Sequence, residues 1–179
     1  RFTTEEVWVM PDGKHAFLGS GSGGDVLYAI NVSDPAAPVV TDSLVLNTRR
    51  VNDVMSTPDG KFIVFTREGA ADRKNGIVIA STEDPEHPKV IAEFTEGVTS
   101  GVHSAFVYKQ DKYGTNVFLT NDGTGAMHVI NIDDPYHPKE VVALAGVVTN
   151  EPEKRVFGVA TTEEILERIK DLTDHLRSF

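Results

Sequence analysis

Short apolar runs separated by polar turns dominate the first 146 residues. Val26–Val32, Gly76–Thr82 and Met127–Asp133 are each rich in Val, Ile and other apolar residues, and each is closed by Asp and Pro. A second set, Val39–Leu46, Lys89–Thr95 and Glu140–Ala145, follows just beyond. Runs of four to eight such residues bounded by Gly, Pro, Asp and Asn predict β-strands rather than helices.

The runs recur at a fixed interval. Ser33-Asp-Pro-Ala-Ala-Pro38 returns as Glu83-Asp-Pro-Glu-His-Pro88 and again as Asp133-Asp-Pro-Tyr-His-Pro138, a constant step of fifty residues. Upstream, Pro11-Asp-Gly-Lys14 matches Pro58-Asp-Gly-Lys61, and the third copy is expected to carry a longer turn, Lys109 to Thr115. Pro presets φ and Gly accepts positive φ, so Pro-Asp-Gly-Lys is hairpin chemistry. In Asp-Pro-x-x-Pro the Asp side chain can bond the backbone just ahead, and each Pro stops a strand from running on.

Each copy therefore predicts four strands, in the second at about 51–57, 62–68, 76–82 and 89–95. Four antiparallel strands every forty to fifty residues mark a propeller blade. A β-sandwich has no reason to repeat a whole four-strand unit three times. The expected fold is all-β, a β-propeller section of three four-stranded antiparallel blades at about 5–46, 51–95 and 101–146, together spanning 1–148. Residues 149–179 are a linker, a short strand and a helix.

Met127-His-Val-Ile-Asn-Ile-Asp-Asp-Pro-Tyr-His-Pro138 and Val26-Leu-Tyr-Ala-Ile-Asn-Val-Ser-Asp-Pro35 resemble the LVIVD-repeat family of bacterial β-propellers. In that family an apolar strand ends in an Asp-Pro-x-x-Pro turn. The second copy departs at Ala80-Ser81-Thr82, where the others keep an apolar-Asn-apolar ending. The resemblance covers about residues 5–146. It implies an exported protein, periplasmic or at the cell surface, and identifies a repeat type rather than an activity.

Three blades do not close a ring, which typically needs four to eight. An open arc leaves the apolar face of each terminal blade to water. The chain is thus expected to be a piece of a six- to eight-bladed protein, or else to close by self-association. Lys154–Ala160 falls where the first strand of a fourth blade is due. Beyond it, Thr161 and Glu164 fit a capping box, and Ile165, Ile169, Leu172 and Leu176 lie on one face of an amphipathic helix.

Composition narrows the function classes. The 179 residues carry a formal charge of −10, which repels phosphate backbones and anionic membranes, so no nucleic-acid partner is expected. No stretch approaches the roughly 18 apolar residues that span a bilayer. With no cysteine, disulfides, thiolate metal sites and a cysteine nucleophile are excluded.

Familiar catalytic motifs are missing. Gly19-Ser-Gly-Ser-Gly-Gly24 matches G-x-G-x-x-G, but a strand follows it where a dinucleotide site needs a helix N-terminus. Asn31-Val-Ser33 is a glycosylation sequon lying inside the repeat motif. There is no H-E-x-x-H, P-loop or G-x-S-x-G. His87 and His137 lie in the Pro-x-x-Pro turns, His15 and His128 in or beside strands, and His175 in the helix.

Aligning the repeats puts Glu5, Asn52 and His103 at one position, followed by Glu6, Asp53 and Ser104. These residues lead into the innermost strands, whose ends line a propeller's channel. They could hold a divalent metal, with His103 and Asp53 the best donors, bond water, or tie neighbouring blades together. Arg49, Arg50 and Arg67 could serve an anionic ligand or form surface ion pairs. No catalytic residue and no resident cofactor is expected. Two functions follow: a non-catalytic scaffold presenting loops to a protein or glycan, or a lactonase-like hydrolase or oxidoreductase with a metal near the axis.

Overall fold

The computed structural model describes residues 3–144 except Ser22, together with the backbone of Val156 and Phe157. The helix expected around Thr161–Leu176, and His175 with it, lies outside the described residues. All elements described are strands, arranged as three antiparallel sheets in chain order. The first holds β1 (Thr4–Val9), β2 (His15–Ser20), β3 (Val26–Asn31) and β4 (Val39–Val45). The second holds β5 (Val54–Ser56), β6 (Phe62–Arg67), β7 (Gly76–Ser81) and β8 (Lys89–Phe94). The third holds β9 (Val102–Gln110), β10 (Gly114–Asn121), β11 (Met127–Asn131) and β12 (Lys139–Leu144).

The repeated turns behave as their residues dictate. In the Asp-Pro-x-x-Pro connections, Asp34, Asp84 and Asp134 each accept through Oδ1 from the backbone N–H two residues ahead, at 2.9, 3.2 and 3.1 Å. In the Pro-Asp-Gly-Lys hairpins, Asp12 and Asp59 accept from the N–H groups of Lys14 and Lys61 at 2.8 and 3.1 Å. Pro35, Pro85 and Pro135 thus sit between the third and fourth strands of their own sheets. The fourth strands share a further feature: pairing to the third strand slips at Ala29/Ile30, Ile79/Ala80 and Val129/Ile130. A bulge at one place in all three sheets gives the outer edge one common twist.

Two expectations need correction. The third hairpin is tighter, not longer: β9 and β10 stay paired out to Gln110↔Gly114, leaving Asp111–Tyr113 as the connection. Where Pro11 and Pro58 end pairing for lack of an N–H, this hairpin has no Pro and the ladder continues. The strand due to begin a fourth blade is β13 (Val156–Phe157), and it instead extends the third sheet, pairing with Ala143 and Leu144 of β12. The outer strand of that sheet offers an unpaired row of backbone groups, which an extended segment satisfies.

The sheets stack face to face. Phe17, Leu27 and Ala29 of the first sheet cluster with Val54, Ile63, Phe65, Val78 and Ala80 of the second. The opposite face of the second sheet supplies Val64, Ile77 and Ile79 to a cluster with Val107, Val117, Leu119 and Ile130 of the third. With both faces covered, β6 and β7 are almost wholly buried, and this explains why Gly76-Ile-Val-Ile-Ala80 reads as an unbroken small and apolar run. Among the described residues no helix is long and apolar enough to cross a membrane.

Candidate ligand site at the inner strand ends

The first strands of the sheets, β1, β5 and β9, lie side by side, and a repeated set of bonds joins them. Glu6 Oε2 accepts from the Val54 N–H at 2.9 Å, and Asp53 Oδ2 accepts from the Ala105 N–H at the same distance. Glu6 and Asp53 are equivalent in the repeat, and so are Val54 and Ala105. Two residues on, Trp8 Nε1 donates to Ser56 Oγ at 2.9 Å and Met55 Sδ accepts from the Val107 N–H at 3.3 Å. Between these stitches, Glu6 N–H donates to the Asn52 carbonyl at 3.2 Å, and Asn52 Nδ2 donates to the His103 carbonyl at 2.7 Å.

Alternate residues of a strand face opposite ways, and this divides the six sequence candidates into two groups. Glu6, Asp53 and Ser104 form the polar wall of a pocket of about 380 Å³, with Trp8, Met55 and Phe106 as its apolar wall. Glu5 and His103 belong to a line of charges across the three sheets. Glu5 Oε1 meets Arg50 Nε at 3.3 Å, Arg50 Nη1 meets Glu68 Oε2 at 3.5 Å, and Glu68 Oε2 lies 3.8 Å from His103 Nδ1. Asn52 serves the blade seam through its amide.

Ligand atoms of Glu68, His103 and Asp122 lie within 4.8 Å of one another, the one such trio of potential metal donors among the described residues. His103 thus meets Glu68 and Asp122, while Asp53 is engaged with Ala105. Glu68 and Asp122 escaped the sequence reading, although the signal was present. In strand register Val54↔Phe65 corresponds to Ala105↔Leu119, so Glu68 and Asp122 share one repeat position just past the second strand. Only the first strands had been aligned for chemistry.

The arginines expected near an anion are committed within the fold. Arg50 spans Glu5 and Glu68, and Arg67 is buried against Glu93 at 3.0 Å and the Lys74 carbonyl. Every described histidine meets a carboxylate: His15 meets Asp12, His87 Asp42, His103 Glu68, His128 Glu140 and His137 Asp134.

Partial desolvation raises the Glu6 carboxyl above its ordinary range; the Val54 N–H works against this, and the nearby Asp53 charge adds to it. A raised folded-state value means the native protein binds this proton more tightly than the unfolded chain does. That contribution to stability is complete below the unfolded value and fades as pH rises through the folded one. Glu6→Gln keeps an oxygen for Val54 and removes the charge. Urea unfolding at mildly acidic and at neutral pH should show a smaller gain on acidification for Glu6→Gln than for the wild type. An unchanged pH slope would remove Glu6 from this account.

Solved structures share this arrangement. The chain aligns with a 6-phosphogluconolactonase candidate from Bacteroides fragilis at a TM-score of 0.64 and 15% identity, covering 77% of this chain and 37% of that one. It aligns with a hypothetical selenium-binding protein from Sulfolobus tokodaii at a TM-score of 0.61 and 12% identity, over 80% of this chain and 38% of the other. Hydrazine synthase of Kuenenia stuttgartiensis gives 0.53 and 17%, over 78% and 41%.

The fold is that of a β-propeller.

Its three sheets are blades, β1, β5 and β9 are the inner strands, and the seams between blades are the stitches described above. The chain spans about two fifths of the length of these propellers. At such identities the likeness extends to the fold alone. No protein-family model matches the chain, and no curated protein matches it significantly.

Proposed function

We propose that this chain is a non-catalytic β-propeller scaffold of the LVIVD-repeat kind, working outside the cytoplasm and presenting its rim loops to a protein or glycan. One observation carries the reading: the polar residues at the inner strand ends are spent on holding blades together. Asp53 and Glu6 cap backbone N–H groups of the next blade, and Asn52 bonds the His103 carbonyl. A buried or half-buried carboxylate engaged in this way is a structural acceptor.

A second reading has its own support. Glu68, His103 and Asp122 offer two carboxylates and an imidazole, a donor set suited to a divalent cation. A metal there would serve a lactonase-like hydrolase or an oxidoreductase, the class to which the name of the Bacteroides neighbour points. Against it, the Arg50 guanidinium already places positive charge beside Glu68 Oε2.

Metal analysis separates the two. After dialysis against zinc, manganese or calcium, the scaffold reading expects metal at background and no change for His103→Ala. Stoichiometric metal that is lost in both His103→Ala and Asp122→Ala would replace it with the second reading.

A further inference from the structure

The seams follow one rule, and both outer faces of the three-blade unit are built to continue it. At each seam the earlier blade sends forward an acceptor and, two residues later, a large side chain. Glu6 and Trp8 do so from the first blade, Asp53 and Met55 from the second. The next blade receives them on a backbone N–H and on the residue two further along: Val54 and Ser56, then Ala105 and Val107.

The third blade carries the sending half with nothing in front of it. Ser104 and Phe106 occupy the forward positions, and Phe106 is 55% exposed. Beside them on the same face, Phe118, Met127, Val142 and Leu144 gather in a small cluster around Val129. The first blade carries the receiving half, with nothing behind it. Val7 and Val9 stand where Val54 and Ser56 stand in the second, and they are 57% and 53% exposed. Leu18 and Tyr28 continue the Val7 row across that sheet, and Ile30 and Val40 continue the Val9 row.

We propose that a second copy of this chain covers these faces head to tail, so that the first blade of each copy seats on the third blade of the other and two chains close a six-bladed ring. Phe106 of one copy then packs on Val9 of its partner, and the Ser104 hydroxyl lies at the Val7 backbone N–H, repeating both internal seams. A head-to-tail contact either closes or propagates. Two copies carry six blades, within the range at which propellers close. The occupant is a second copy because the receiving half that the third blade lacks is present, unused, on the first. Closure also completes the 380 Å³ pocket, whose open side is formed by Phe106, Phe118 and Met127.

The test is the mass in solution of the 179-residue chain, by light scattering coupled to gel filtration. The ring predicts twice the 19.5 kDa chain mass. Val7→Lys and Phe106→Glu each place a charge in the seam at a position more than half exposed in the single chain, so circular dichroism should show both folded. Each variant alone should run at the single-chain mass. An equimolar mixture should recover the double mass, because one seam is then native and the other pairs Lys with Glu. Val90→Lys, on an outer strand away from both faces, should leave the double mass unchanged. A wild-type chain of single mass overturns the proposal. So does a double mass that neither seam variant lowers, or one that mixing fails to restore.

Discussion

Phe65→Ala should lower unfolding stability by about 3–5 kcal/mol, the cost of removing a fully buried aromatic ring from a packed core. Phe65 has no solvent-accessible surface and belongs to the cluster that joins the first two blades, with Phe17, Leu27 and Val78 around it. Its strand is the second of the middle blade, covered on both faces, so neighbours cannot relax towards solvent to fill the cavity. The loss is a large share of the roughly 5–15 kcal/mol that holds an ordinary domain together. Val45→Ala removes an aliphatic side chain that is 70% exposed on the outer strand of the first blade, and should change stability by less than about 0.5 kcal/mol. Denaturant titration of the two variants in parallel reads the difference. Similar losses would mean that the sheets do not share a core and that the stacked-blade arrangement is wrong.

The same stacking explains what the sequence made legible. The Asp-Pro-x-x-Pro step of fifty residues located all three third-to-fourth-strand turns, because an Asp acceptor and a Pro stop act within a few residues. The four-strand grouping followed from it. Less local events were harder to read. The Lys109–Thr115 stretch contains polar residues and Gly114, which suggested a long loop, yet cross-strand pairing carried the ladder to Gln110 and Gly114. Val156–Phe157 has the composition of a strand, but which sheet edge it joins depends on the open side of β12.

The candidate site was legible in the same partial way. Aligning the repeats nominated Glu6 and Asp53, which prove to be equivalent acceptors at successive seams. Their partners, the N–H groups of Val54 and Ala105, carry no signature in residue type because any residue but Pro supplies one. Glu68 and Asp122 approach His103 from the ends of β6 and β10, a distance relation that only the sheet register reveals.

Gly76 is the position where backbone and packing constraints coincide, and Gly76→Ala carries the second-largest expected loss. Its φ of +147° is one that residues with a Cβ rarely adopt. A Cβ there would lie 2.0 Å from the Phe94 carbonyl oxygen, closer than any real contact. The first constraint costs on the order of 1–3 kcal/mol. The second forces apart β7 and β8 at the place where Ile77 pairs with Phe94, a buried residue of the seam between the second and third blades, and overpacking of this kind adds about 1–3 kcal/mol. Gly13 separates the two contributions. It also has positive φ, +67°, but a Cβ there meets nothing within 4 Å. Gly13→Ala should therefore cost the backbone share alone, and Gly76→Ala distinctly more, with hydrogen exchange rising at Ile77 and Phe94 only in the second variant. Equal losses for the two would show that the close approach of β8 does not constrain Gly76, and would leave the seam at Phe94 looser than its burial implies.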